Sequence, residues 1–198
     1  MNESKQDKLG ITNGSSGLAL SLNGEHTGGL ESLARSLPVQ VIDPNIHNLV
    51  AGSPENRRRF LDWVVFHVEP SFTELWRQST RALKQRNALL RDEASEAEIE
   101  PWTSALANYG SQIDVMREDY MNRFLPVFSD TYRFLLNLEG VKCSYRRGWD
   151  STKTLQEVFV GQMPGDRQRR FTQSGFQRAD LRLTISGNPI AQICSRGE

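Results

Sequence analysis

Residues 70–91 read Pro70-Ser71-Phe72-Thr73-Glu74-Leu75-Trp76-Arg77-Gln78-Ser79-Thr80-Arg81-Ala82-Leu83-Lys84-Gln85-Arg86-Asn87-Ala88-Leu89-Leu90-Arg91. Phe72, Leu75, Trp76, Leu83 and Leu90 recur at helical spacing on one side, and Arg77, Arg81, Lys84 and Arg91 on another, so the segment predicts a long amphipathic rod. Upstream, Ser53 as N-cap and Pro54 at the first helical position open a shorter helix with Phe60, Leu61, Val64, Val65 and Val68 as its apolar face, ended by Pro70. Downstream, the acidic stretch Asp92–Glu100 is expected to form a hairpin tip, after which Pro101-Trp102 opens a third helix running to about Asn137. Pro126 is expected to kink that helix or split it in two.

Outward from these helices the texture changes. Residues 8–24 predict a β-hairpin, because Asn13-Gly14-Ser15-Ser16-Gly17 is turn chemistry and Leu18, Leu20 and Leu22 alternate with smaller or polar residues. A second turn falls at Asn23-Gly24, a short helix at 29–36, and a buried strand at Val39–Ile42, ended by Asp43-Pro44. A lone hairpin is marginal in water, so this edge is expected to join a larger sheet. After Glu139-Gly140 come a strand over Val141–Arg146, a helix near 151–162, and strands around 180–186 and 189–193 joined by a Gly187-Asn188 turn. The expected class is α+β, with an antiparallel helical lobe inserted between β-containing pieces.

The 198 residues carry 24 basic and 24 acidic side chains, unlike a uniformly basic nucleic-acid coat protein. The charges are segregated: residues 1–91 hold 11 basic and 9 acidic groups, residues 92–139 hold 3 and 10, and residues 140–198 hold 10 and 5. A phosphate-binding surface is therefore expected from the first and last parts. Cys143 and Cys194 are far apart and belong to no C-x-x-C pair, which argues against zinc or a disulfide framework and suits a reducing cytosol. Met1–Lys8 has no secretory apolar stretch and no run approaches the roughly 20 residues that cross a bilayer, so the expectation is a cytoplasmic protein with no membrane partner.

Three basic groups are candidates for DNA contact. Arg57, Arg58 and Arg59 lie in the first turn of a helix, where the peptide dipoles disfavour cations by about 0.3–1 kcal/mol each, so an anion should compensate. That anion is either an internal acid, for instance Asp62 one turn from Arg58, or a phosphate. The stripe Arg77, Arg81, Lys84 and Arg91 projects from one face, with Glu74 as its near acid, and reads either as a phosphate-binding face or as ordinary solvated surface. Arg167, Arg169, Arg170 and Arg178 surround a Gly-containing turn and either hold phosphate or stitch that turn to its own domain. Arg86 falls near the apolar face and is expected to be buried against an acid. His26, His47 and His67 are isolated, His67 reading as a core or boundary residue and Asp62 as structural; no catalytic set and no metal site stands out.

Gly52-x-Pro54, the Arg57–Asp62 run, Phe66-His67-Val68-Glu69-Pro70, Trp76, the Leu83–Leu90 block, Gly148-Trp149 and Arg178-Ala179-Asp180, with Leu37-Pro38, Pro44 and Leu49, resemble the bacterial RecF family of DNA repair proteins over nearly the whole chain. The resemblance implies an ABC-type ATPase head, related to SMC proteins, split around a helical lobe. On that reading residues 1–50 end the first half of the head, 51–165 form the lobe, and 166–198 return to the head. It further implies an ATP-dependent homodimer that clamps single-stranded or gapped duplex DNA. Such a protein works with RecO and RecR in loading RecA, in recombinational repair, replication-fork maintenance and the SOS response. Family members are weak DNA-stimulated ATPases that use ATP and Mg²⁺. Here no G-x-x-x-x-G-K-[ST] phosphate loop occurs and the Walker B acids are absent, so this chain is expected to be a central portion, inactive and without a cofactor by itself.

By the same resemblance Ser195, Arg196 and Gly197 begin the signature motif that contacts ATP of the opposite subunit, and Gln40 stands where related heads place a metal-sensing glutamine. Two departures are plain: Gly175-Phe176-Gln177-Arg178 replaces the family's Gly-Pro-His-Arg, and Cys194 replaces a leucine. The competing expectation is an isolated helical protein-interaction module with no direct DNA or ATP binding.

Overall fold

In the computed structural model of the chain, residues 7–14, 17–26, 29–39, 47–136 and 139–193 are described. The chain divides into two compact units, Met1–Asp43 and Pro44–Glu198.

The first unit contains the expected hairpin. Strands β1 (Leu9–Gly14) and β2 (Gly17–Leu22) pair antiparallel, with Ile11 opposite Leu20 and Leu9 opposite Leu22. The two-residue strand β3 (Glu25–His26) adds to β2 through a turn in which Asn23 and Gly24 both take positive φ (55° and 87°). Asn and Gly are the residues that adopt this backbone at least cost, which fixes the register. The Asn23 side chain also accepts from the Lys8 N–H at 2.8 Å. Helix α1 (Leu30–Ser36) follows, close to its expected position. Most of the expected strand at Val39–Ile42 lies outside the described residues.

The second unit is built on helices α2 (His47–Ala51), α3 (Pro54–Val68), α4 (Phe72–Arg91) and α5 (Glu96–Leu136). Helix α3 starts at Ser53-Pro54 as its sequence predicts and buries Leu61, Val64 and Val65, but Val68 is exposed at its last turn. Helix α5 begins at Glu96, five residues before Pro101. Ser95 sets this start, donating its N–H and hydroxyl to the Glu98 carboxylate at 2.9 and 2.7 Å. The tip between α4 and α5 is thereby shortened to Asp92–Ser95. Burial of Ile99 and Thr103 on either side of Pro101 offsets the backbone bond that proline cannot make. The helix is continuous through Pro126 as well, so it is not split there.

Beyond α5, strand β4 (Val141–Arg146) pairs antiparallel with β5 (Asp180–Ile185), and β5 with the two-residue β6 (Asn188–Pro189). The β5–β6 turn is Ser186-Gly187, one residue earlier than expected, with positive φ at both positions. Pro189 ends the ladder, and a 3-10 turn, Ile190–Gln192, takes the place of a longer closing strand. Helix α6 (Leu155–Arg169) starts later than the sequence pattern suggests, because Thr154 and Glu157 form a reciprocal capping box. The core of this unit gathers Leu61 and Val65 of α3, Phe72 of α4, Leu106 and Ile113 of α5, Phe159 of α6, and Phe176 and Leu181. Among the described residues no helix is long and apolar enough to cross a membrane.

Candidate nucleic-acid interface

Helix α4 carries two adjacent rows at four-residue spacing, Trp76, Thr80, Lys84 and Arg77, Arg81, Gln85, and these six side chains line one shallow groove. The opposite side of α4 is anchored by buried Phe72, Ser79, Ala82, Arg86 and Leu90. That burial dictates which rows face water. Arg77 lies 3.7 Å from Glu74, both side chains being 62% exposed, a geometry worth little in water. Arg81, Lys84 and Arg91 are exposed, and no ion pair involves them among the described residues. The sequence places Trp76 on the apolar face; it is instead 42% exposed, at the border between that face and the cationic rows.

The other basic candidates are engaged within the fold to different degrees. Arg57 grips Asp180 through Nε (2.8 Å) and Nη2 (3.1 Å) and donates to the Gly52 carbonyl at 2.8 Å. Arg58 donates to the Ala179 carbonyl at 2.9 Å, not to Asp62. Burial, with the nearby charge of Arg117, lowers the Arg58 pKa. Among the described residues Arg59 makes only an exposed pair, with Glu55 at 2.6 Å. Arg167 donates to the Ala94 carbonyl, Arg170 pairs with Glu93 at 2.7 Å, and Arg178 lies over the Phe171 ring. Arg169 is exposed. Arg167 and Arg170 therefore stitch the α6 end to the α4–α5 tip. Gln40, Ser195, Arg196 and Gly197 lie outside the described residues.

Arg86 is wholly buried, as expected, and bonds Asp166 (2.8 Å), Thr172 (2.6 Å) and Thr103 (3.0 Å). A second buried arginine escaped the sequence reading. Arg117 donates to Asp62 at 2.7 and 2.9 Å and to the Phe176 carbonyl at 2.7 Å. Burial alone would lower the Arg117 pKa; Asp62 and Tyr145 outweigh it and raise the pKa. Burial raises the Asp62 pKa, opposed by Arg117 and by the indole N–H of Trp76. Arg117 sits in the acidic middle segment 55 residues from Asp62, so helical spacing gave no signal for the pair. The divergent Gly175–Arg178 segment packs against the middle of α5, its buried Phe176 supplying that carbonyl from a 3-10 turn.

His67 contacts the Trp63 and Phe66 rings at 4.7 and 4.9 Å, in keeping with a boundary residue. Burial pushes the Cys143 thiol up to about 11, which leaves it unreactive near neutrality. Among the described residues no three His, Cys, Asp or Glu side chains gather where they could hold a metal ion.

No protein-family model matches the chain. It is 45% identical over 182 residues to the DNA replication and repair protein RecF of Chromohalobacter salexigens, covering 91% of this chain and 50% of that one. Against RecF of Pseudomonas putida strain GB-1 it is 42% identical over 196 residues, covering 96% of this chain and 53% of the relative. The fold matches a solved structure of the recombination mediator protein RecF-ATPrS in the RecFOR pathway with a TM-score of 0.85 at 19% identity, over 98% of this chain and 56% of that one. A RecF-ATP structure from the same pathway matches with a TM-score of 0.83 at 20% identity. The chain spans about half the length of the curated relatives it matches. A helical body with two small antiparallel sheets, related by sequence and by fold to these proteins along nearly all of its residues, belongs to the RecF family.

Proposed function

We propose that this chain is the DNA-contacting lobe region of a RecF-type, ATP-dependent DNA-binding protein acting in recombinational repair, replication-fork maintenance and SOS induction. Residues 51–165 form the lobe, and 1–50 and 166–198 belong to an ABC-type head that it interrupts. The observation that carries the reading is the cationic groove of α4: Arg77, Arg81 and Lys84 present their charges to water along one helix of a chain related to RecF. Over Arg77–Lys84 the helix rises about 10 Å at ~1.5 Å per residue. That is about three nucleotides of one strand at ~3.4 Å each.

The nucleotide side of the function rests on other residues. Among the described residues there is no phosphate-cradling loop and no carboxylate cluster for Mg²⁺. Any contact with ATP therefore falls to Ser195, Arg196 and Gly197, reaching a nucleotide held by a second subunit, with Gln40 as the candidate metal-sensing residue. Chemistry belongs to groups absent from this sequence, and the chain alone turns over no ATP. Assembly as an ATP-dependent homodimer, partnership with RecO and RecR, and a cytoplasmic location complete the proposal. The RecFOR setting of the solved relatives supports it.

The test is charge reversal. The variant Arg77→Glu/Arg81→Glu/Lys84→Glu should keep its helical circular dichroism and lose at least tenfold in DNA affinity. Unchanged affinity would favour a protein-interaction arm instead.

A further inference from the structure

We propose that Trp76 is a stacking platform for an unpaired base in the α4 groove; this rests on the DNA-binding reading above and adds the residue that tells an unpaired strand from a duplex. An indole 42% exposed shares one groove with Arg77, Thr80, Arg81, Lys84 and Gln85, at the N-terminal end of its row. The combination is an aromatic surface flanked by cations and short polar side chains. Cations alone bind any phosphate backbone and do not tell one strand from two. An aromatic ring among them adds a contact that only an unstacked base can make, because duplex bases already cover one another's faces.

The ring is also held in place. The indole N–H interacts with the Asp62 carboxylate, and Asp62 is itself fixed by two bonds from Arg117, whose side chain is 1% exposed. A platform anchored by its polar edge to a buried ion pair loses little freedom when a base settles on it. Glu74, next to Arg77, is the near acid; Arg81 and Lys84, farther along the groove, make no ion pair among the described residues. The phosphates are therefore expected toward the Lys84 side.

The experiment measures binding of the 198-residue chain to three probes of equal length: oligo(dT), an abasic sugar-phosphate oligomer, and a blunt duplex. Trp76→Ala should weaken oligo(dT) binding about 5- to 150-fold, the range of one stacked base, and leave the other two probes unchanged. Trp76→Phe should bind oligo(dT) within a few-fold of the parent and abolish the quenching of tryptophan fluorescence that oligo(dT) causes in the parent. The fluorescence arm decides the matter even if the alanine variant fails to fold. Quenching that persists in Trp76→Phe overturns the proposal, as does equal weakening of all three probes by Trp76→Ala, which marks a packing role. Loss of binding in the Arg77/Arg81/Lys84 charge variant with no effect at Trp76 overturns the stacking and leaves the DNA reading intact. No effect from either set removes both.

Discussion

Arg86 and Asp166, eighty residues apart and both 0% exposed at the side chain, meet at 2.8 Å in the interior of the α4–α5–α6 bundle. Thr172, Thr103 and Gln173 add further hydrogen bonds to the pair, and Arg86 Nη2 faces the Met163 sulfur at 3.9 Å. Removing one partner strands a buried charge, so Arg86→Met or Asp166→Leu alone should cost about 3–5 kcal/mol in urea unfolding. The double variant should recover a good part of that loss. A single variant as stable as the parent would show that the pair is not what holds α6 to the rod.

Arg57 and Arg59 stand two residues apart and should behave differently. Arg57 bridges Asp180 of β5 and the Gly52 carbonyl from a site 13% exposed, so Arg57→Ala should lower stability by about 1.5–3 kcal/mol, as for a lost charged hydrogen bond. Arg59→Ala breaks a surface pair with Glu55 and should stay within about 0.5 kcal/mol. Thermal melts of the two variants distinguish them.

Glu157 and Asp114 contribute with opposite sign to the acid response of the fold. The Thr154 backbone N–H, then its hydroxyl, lower the Glu157 pKa below the ordinary glutamate value. A lowered folded pKa gives stability that is complete above the unfolded value and is lost as pH falls through the folded one. Burial raises the Asp114 pKa, opposed by the Tyr145 hydroxyl and Arg147. Its folded pKa lies above the unfolded value, so protonation favours the native state as pH falls through that window. On acidification the stability gap between parent and Glu157→Gln should therefore shrink, and that between parent and Asp114→Asn should move in the parent's favour. Urea melts across the acid limb measure both.

Gly148 shows where backbone meets backbone. A β-carbon there would press on the Gly175 carbonyl oxygen and come within 2.8 Å of the Ala179 nitrogen. Neither neighbour is a flexible side chain that can move aside. Gly148→Ala should cost about 1–3 kcal/mol or more, the usual penalty of overpacking, whereas Gly161→Ala, with open space around it, should not destabilise. Differential scanning calorimetry reads the contrast.

The rods and the hairpin were legible because their signals are local. Ser53-Pro54, the apolar spacing of residues 61–65 and the Asn23-Gly24 turn each act within a few residues. Helix α5 starts at Glu96 and not at Pro101, because the local bonds of Ser95 to Glu98 set its first turn more strongly than the proline does. The place of Arg86 on the apolar face predicts its burial, but nothing local points to its partner Asp166 or to the Arg117–Asp62 pair. Partners that far apart in sequence are chosen by the packing of three helices, which no local pattern encodes. The positions that carried the family resemblance divide in the same way: Arg57, Asp62, Gly148 and Asp180 hold the fold together, while Trp76 lines the groove.

The central claim is that the exposed cations of α4 neutralise DNA phosphates. Its most direct test is the slope of log association constant against log salt for oligo(dT), in the parent and in Arg77→Gln/Arg81→Gln/Lys84→Gln. Each phosphate contact contributes about 0.7 to the slope on a single strand, so the variant's line should be shallower by about 2, with an unchanged melting temperature. Parallel lines of equal slope would contradict the account.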